Sequence, residues 1–239
     1  MALLEGRKIS KSFGGVQALS QVDFTAEKGT IVGLIGPNGA GKTTLFNAVA
    51  GAFKPSSGQV LFDGKNITGL SANAICRRGM ARTFQVTRPF AAMTCLENVM
   101  VAAINRHPHK PRSFIESSAR QKLGLVGLSD MEAFEARHLN VVQKKRLEMA
   151  RALATEPKLL LLDEVLGGLN TQEIKQAVAF IRNLRDQLGL TMLWIEHVMG
   201  AIMQASERVI VLDQGRVLMA GTPLEVVNDP RVIQAYLGE

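Results

Sequence analysis

Apolar positions fall first into short, turn-bounded β-rich runs and later into helical spacing. Residues 4–9 and 16–24 are two such runs separated by Gly14-Gly15, which predicts an antiparallel hairpin. Residues 59–62, the turn pair Asp63-Gly64 and residues 65–67 predict a second hairpin. Between them lies the apolar run Thr30-Ile31-Val32-Gly33-Leu34-Ile35, followed by residues 44–50, which can open a helix. From about residue 71 to 154 the chain reads as mostly helical, with loop punctuation at Pro108, Pro111 and Gly124. Lys158-Leu159-Leu160-Leu161-Leu162 is then a continuous apolar strand of the kind buried on both faces of a parallel sheet. Ile174, Ala177, Val178, Ile181, Leu184 and Leu188 recur at helical spacing, with Gly189 as the C-cap. Residues 191–195 read as the next strand, and 208–212 and 217–219 as two more around Gln214-Gly215. Thr222-Pro223-Leu224-Glu225 carries a capping box with proline at the first helical position, and Asp229-Pro230 marks a last helix start. This order predicts an α/β fold with an antiparallel β subdomain and an inserted α-helical subdomain. Residues 1–85 and 155–239 form the core and 86–154 the insert.

Composition narrows the setting. With 239 residues the chain is long enough for one large domain, or a core with a subdomain. Its longest aliphatic block, residues 159–162, is far too short to cross a bilayer, and the start lacks the apolar stretch of a signal peptide, so a cytoplasmic chain is expected. Cys76 and Cys95 have neither metal-ligand spacing nor disulfide-framework density and are expected as reduced thiols. The net charge of +7 suits nucleic acid, an anionic membrane surface or nucleotide phosphates, but no basic block is interleaved with aromatics, and nucleic acid is not an expected partner. His107-Pro108-His109, beside Lys110 and Arg112, reads as a solvated loop rather than a metal site.

The chemistry enters with Gly36-Pro37-Asn38-Gly39-Ala40-Gly41-Lys42-Thr43-Thr44, which fits the phosphate-binding pattern G-x-x-x-x-G-K-[ST] between a strand and a helix. Glycines let backbone N–H groups wrap a phosphate, the helix N-terminus adds partial positive charge, Lys42 reaches the terminal phosphates and the Thr43 hydroxyl can hold magnesium. Asp163-Glu164 ends the buried leucine strand, so both carboxylates open into the same crevice. There Asp163 can hold magnesium through its shell, and Glu164 can orient or deprotonate a water. His197, two residues past another apolar strand, can reach the γ-phosphate from a neighbouring strand end.

These residues, in this order, resemble the ATP-binding cassette (ABC) superfamily over nearly the whole chain. The ordered pieces are Phe13 in the first hairpin, the phosphate loop, Gln85 in Arg82-Thr83-Phe84-Gln85, a signature region before Arg146-Leu147-Glu148-Met149-Ala150-Arg151-Ala152-Leu153, the strand ending in Asp163-Glu164, and His197. The resemblance implies a P-loop NTPase core binding ATP and Mg2+. In it Phe13 would stack on adenine, Gln85 would contact magnesium and the attacking water, Glu164 would be the catalytic base, and His197 would contact the γ-phosphate. For Phe13 a place in the hydrophobic core is the competing reading.

Longer stretches are similar to the cytoplasmic ATPases of branched-chain amino acid importers. They are Phe53-Lys54-Pro55 with Ser57-Gly58, residues 63–70, residues 79–85, and the tail from Gly221-Thr222-Pro223 to Tyr236-Leu237-Gly238. Urea importers and lipopolysaccharide exporters share similar wording, as the alternative. The resemblance implies a second ABC ATPase subunit, transmembrane permease subunits, and a peripheral place on the cytoplasmic face of the membrane. Relatives acting on DNA or ribosomes generally carry long inserts or a second cassette, for which this chain has no room. A weakly hydrolysing regulatory module is the other class to weigh, and Glu164 with His197 argues against it.

The departures lie in the signature. Where the family usually reads Leu-Ser-Gly-Gly-Gln, facing ATP on the opposite subunit, this chain reads Leu139-Asn140-Val141-Val142-Gln143. Asn140 can still donate a hydrogen bond, but Val142 places a β-branched side chain where backbone should approach phosphate, and valine resists positive φ. Val165 stands for the usual proline and Asn170 for the usual aspartate. A heterodimer is therefore expected, in which this chain's nucleotide is hydrolysed well and its partner's poorly. Arg88 and Phe90, after Gln85, are candidate contacts for the membrane subunits, with a helix-start turn holding one buried aromatic as the alternative.

Overall fold

The computed structural model describes residues 1–237; Gly238, which closes the tail quoted above, and Glu239 lie outside the described residues. β1 (Ala2–Phe13) and β2 (Val16–Glu27) form the predicted antiparallel hairpin. Then come β3 (Ile31–Ile35), α1 (Lys42–Val49), β4 (Ser57–Phe62) and β5 (Lys65–Asn66). α2 (Ala72–Arg77) leads into β6 (Met80–Arg82), and α3 (Cys95–Arg106), α4 (Arg112–Leu125), two single-turn 3-10 helices and α5 (Val141–Leu153) follow. The remainder alternates: β7 (Leu159–Asp163), α6 (Thr171–Leu188), β8 (Thr191–Ile195), α7 (Met199–Ala205), β9 (Arg208–Asp213), β10 (Arg216–Gly221), α8 (Pro223–Val227) and α9 (Pro230–Leu237).

Two sheets result. An antiparallel one runs β2-β1-β4-β5, and a six-stranded one runs β10-β9-β3-β8-β7-β6, parallel except at β10. Asp63-Gly64 and Gln214-Gly215 both have φ near +50 and +70, the left-handed pair that a tight hairpin turn requires. Gly189 closes α6 in the left-handed region as expected. Thr222 and Glu225 form the expected capping box on α8.

The larger sheet is buried on both faces, which is why its strands are continuously apolar. Ile35, Leu160, Leu162, Met192 and Trp194 face the cluster built with α3 to α7, while Val32, Leu34, Leu159, Leu161 and Leu193 face α1 and the antiparallel sheet. Trp194, the only tryptophan in the chain, is fully buried in β8. Each such side chain contributes about 1.5–3 kcal/mol over exposure.

The expected helical run from residue 71 is interrupted by β6, which pairs in parallel with β7 from Met80↔Leu159 to Arg82↔Leu161. Three residues are too few to show a two-residue period, so only pairing reveals this strand. Residues 86–154 hold α3 to α5 and the two 3-10 helices, with none of the named strands. Among the described residues no helix is long and apolar enough to cross a membrane. Cys76 and Cys95 are both free. His107 Nε2 lies 3.1 Å from Glu156, and the ring meets Phe114 edge-on, which gives it a structural role.

Candidate active site

Four neighbouring strands, β3, β8, β7 and β6, bring their C-terminal ends together, and every proposed hydrolytic residue sits on one of those ends or the loop after it. After β3 the chain turns through the phosphate loop. Gly36 has φ 148, and a Cβ there would lie 2.0 Å from the Leu212 carbonyl oxygen. Asn38 and Gly39 are exposed at the loop tip, while Pro37 is half-buried. Ala40 N donates to Pro37 O, and Gly215 N donates to Ala40 O, bracing the loop against the β9–β10 turn. Gly41 caps α1 in the left-handed region, with no side-chain cap and no acid in the first turn. The first amides of α1 are thus left for an anion. Lys42 is buried and donates to Gly36 O at 2.6 Å and Pro37 O at 2.9 Å. Burial lowers its pKa, and the charge of Glu164 opposes that shift. Thr43 is exposed and Thr44 half-buried at the helix start.

At the end of β7, Asp163 is buried and its Oδ2 accepts from Arg82 Nη2 at 2.6 Å. The other arm of Arg82 donates to Asn47 Oδ1 at 2.6 Å, and its guanidinium lies over the rings of Phe46 and Phe84. Glu164 has φ 47, an uncommon conformation for a non-glycine residue, fixed by donation of its N–H to Ile195 O. Its two carboxylate oxygens meet Gln85 Nε2 at 2.5 Å and His197 Nε2 at 2.9 Å. With Glu164 ionised, Nε2 of His197 carries the proton. Glu164, Gln85 and His197 therefore form one cluster, next to Asp163 in the chain.

A cleft of about 740 Å³ is lined by Thr43, Gln85 and Asp163. One carboxylate beside two neutral oxygen donors suits magnesium that takes its remaining ligands from substrate phosphates and water. Among the described residues no three His, Cys, Asp or Glu side chains cluster as an all-protein metal cage.

The signature residues lie at the start of α5. Asn140 is the N-cap of α5: its Oδ1 accepts from Gln143 N at 2.9 Å, and Gln143 Oε1 accepts from Asn140 N at 3.0 Å. The expectation about Val142 is corrected in one respect. It is the second residue of α5, absent from the positive-φ positions, and it lines a small cavity with Met149, Val165, Leu169 and Phe180. Valine needs no positive φ there because the helix has already begun. Val141, 57% exposed, is the residue that presents a β-branched side chain outward. Phe13 is 49% exposed and packs edge-on against Phe53 under Lys11, which removes the core reading. Phe90 is likewise exposed, and α3 starts only at Cys95, so the alternative of a helix-start turn with a buried aromatic does not hold.

Four residues with no role from sequence act around the site. Arg82 donates to Asp163, and Asn47 accepts from the other arm of Arg82. Glu196, buried with its pKa raised by burial, accepts from Leu166 N at 2.7 Å and steadies the loop after Glu164. Glu148 of α5, also buried with its pKa raised by burial, accepts from Phe84 N at 2.5 Å. An acid directly after a buried strand is the signal that marks Glu196, whereas Glu148, flanked by Lys145 and Arg151 on its helix, carries no such signal.

The family model described as ABC transporter matches residues 19–167, and one described as branched-chain amino acid ATP-binding cassette transporter matches residues 216–239. The chain is 38% identical to the high-affinity branched-chain amino acid transport ATP-binding protein BraF of Pseudomonas aeruginosa, covering 99% of this chain and 98% of that one. It is 39% identical to LivG of Escherichia coli, which bears the same description, with the same coverage. A crystal structure of an ATP-binding cassette of an ABC transporter in its ADP conformation superimposes with a TM-score of 0.89 over the full length of both chains, at 30% identity. Phosphate loop, strand-end carboxylates and full-length similarity agree, and the chain belongs to the ABC transporter family, as one of its ATP-binding and ATP-hydrolysing subunits.

Proposed function

We propose that this chain powers the import of branched-chain amino acids through separate permease subunits, as a peripheral subunit on the cytoplasmic face of the membrane. The likeness to BraF and LivG and the match over residues 216–239 support the substrate class. The observation that carries the mechanism is the Gln85–Glu164–His197 cluster at the strand ends beside the phosphate loop.

In the proposed reaction the amides of the loop and of α1 hold the phosphates, and Lys42 exchanges its carbonyl partners for phosphate oxygens. Thr43, Asp163 and Gln85 would hold magnesium, which would offset the negative charge of the phosphates. Glu164 is the base for the attacking water. Gln85 and His197 each engage one of its oxygens, and each oxygen keeps a lone pair that can take the proton of that water. His197 would face the γ-phosphate, and Phe13, exposed at the end of β1, would meet the adenine.

The second half of the reading is a head-to-tail heterodimer. This chain's nucleotide meets the partner's signature, while the partner's nucleotide meets residues 139–143 of this chain. There the Asn140 cap and the exposed Val141 replace a serine and a glycine, and Val142 replaces the second glycine. Losing one or two charge-assisted hydrogen bonds slows that half by roughly tenfold to ten-thousandfold. Arg88 and Phe90 are the proposed contacts for the permease. ATP turnover, measured for the chain alone and after mixing with candidate partner ATPases and permeases, tests this directly. Weak turnover alone and strong turnover in the mixture are expected, with Glu164→Gln lowering the mixed rate by at least about a hundredfold. Brisk turnover by the chain alone would sink the half-site reading.

A further inference from the structure

Gln85 must reach Glu164, yet it lies in a segment without sheet pairing. β6 ends at Arg82, and the last backbone bond of this edge is Thr83 N donating to Leu161 O. Beyond it, among the described residues, the backbone of residues 84–88 is held at two points. Phe84 N donates to Glu148 at 2.5 Å, and Arg88 O accepts from Arg151 Nη1 at 3.1 Å. Both holders belong to α5. A third side chain of the same helix, Lys145, donates to Val165 O at 2.8 Å, the carbonyl directly after Glu164.

Lys145, Glu148 and Arg151 are three residues apart in sequence, so an acid lies between two bases along one flank of the helix. Glu148 is buried and Lys145 and Arg151 are half-buried, and withdrawing charge from water in this way costs stability unless the geometry returns something else. What they hold is backbone next to both members of the Gln85–Glu164 contact. We propose that α5 sets the distance between Gln85 and Glu164, and that Glu148 is its principal positioning residue, acting through the Phe84 amide. Because α5 begins at the signature residues, a shift of the helix start is transmitted by these three bonds to the chain's own hydrolytic pair. Phe90, under the Arg151 guanidinium at 5.0 Å, joins the proposed permease contact to the same helix.

This inference rests on Gln85 and Glu164 serving hydrolysis as proposed above, and the test separates the two. In the full chain assembled with its partners, Glu148→Leu should lower kcat about tenfold to a hundredfold while ATP affinity stays within about threefold. Glu148→Gln, which keeps an acceptor, should fall between that variant and the unaltered chain. In a Gln85→Ala background the Glu148→Leu change should add no further loss, since its effect passes through Gln85. Hydrogen exchange at the Phe84 amide should quicken in Glu148→Leu and less so in Glu148→Gln. Should Glu148→Leu fail to fold, the same cycle with Glu148→Gln decides. Full additivity with Gln85→Ala, or an unchanged Phe84 amide, overturns the positioning role. If instead Glu164→Gln keeps full turnover, the hydrolytic reading itself fails.

Discussion

α1 starts from Gly41 in the left-handed region with nothing on its first amides, whereas α5 starts from Asn140, whose carboxamide takes the Gln143 amide while Gln143 returns the bond. The first start is open to an external anion and, with glycine as its cap, gives up only roughly a few tenths of a kcal/mol of capping to stay so. Burial of Leu45, Phe46 and Val49 holds that helix in place instead. The second start is closed on itself, so two of its amides are already satisfied before any phosphate of a partner arrives. The difference teaches that a helix start keeps its first amides for an external anion where no side chain caps it, as at α1, and uses part of them where one does, as at α5.

The comparison breaks first at Gly36. A Cβ at φ 148 and 2.0 Å from Leu212 O cannot be placed without moving the loop. Gly36→Ala should therefore weaken ATP binding at least about tenfold in an equilibrium titration, the equivalent of about 1.4 kcal/mol. Unchanged affinity would show that the loop's shape does not carry binding. The closed end is probed by Val141→Gly combined with Val142→Gly. If bulk there limits the trans site, turnover of the purified homodimer rises about tenfold, and no rise places the limit in the Asn140 cap.

Asn140→Ala removes that cap and should cost about 0.5–2 kcal/mol in urea unfolding. A loss below that range would mean that burial alone fixes the start of α5. The smallest effect belongs to a third helix start. Asp229, ahead of α9, accepts from Arg231 N, Nε and Nη2, and the Arg231 side chain holds its pKa at about 2, below the ordinary 3.8. A depressed carboxyl pKa means the bond stabilises the fold above pH 3.8 and that this contribution is lost as pH falls to about 2. A carboxyl titration by NMR should find the midpoint near the lower value, and one near the ordinary value would remove this cap from the comparison.

Much of this was readable in the chain because phosphate chemistry needs consecutive residues: residues 36–44 and the pair Asp163-Glu164 announce themselves. The continuous burial of β3, β7 and β8 was equally legible, since two-sided burial forces unbroken apolar runs. Asp163 with Arg82, and Phe84 with Glu148, were not legible. These partners lie 81 and 64 residues apart and meet only once β6 pairs with β7. Val142 was misjudged because its φ depends on where α5 begins, and the Asn140 cap that fixes the boundary is a matter of side-chain geometry rather than of pattern.

Trp194 gives the site a native optical reporter. It is the sole indole in the chain, sealed in the central strand and three residues before His197. Its emission therefore arises from one environment, and any rearrangement of the turn carrying Glu196 and His197 reaches it through the backbone of β8. Movement of that turn can thus be followed by intrinsic fluorescence in the unlabelled chain, on the timescale of a stopped-flow mixing experiment.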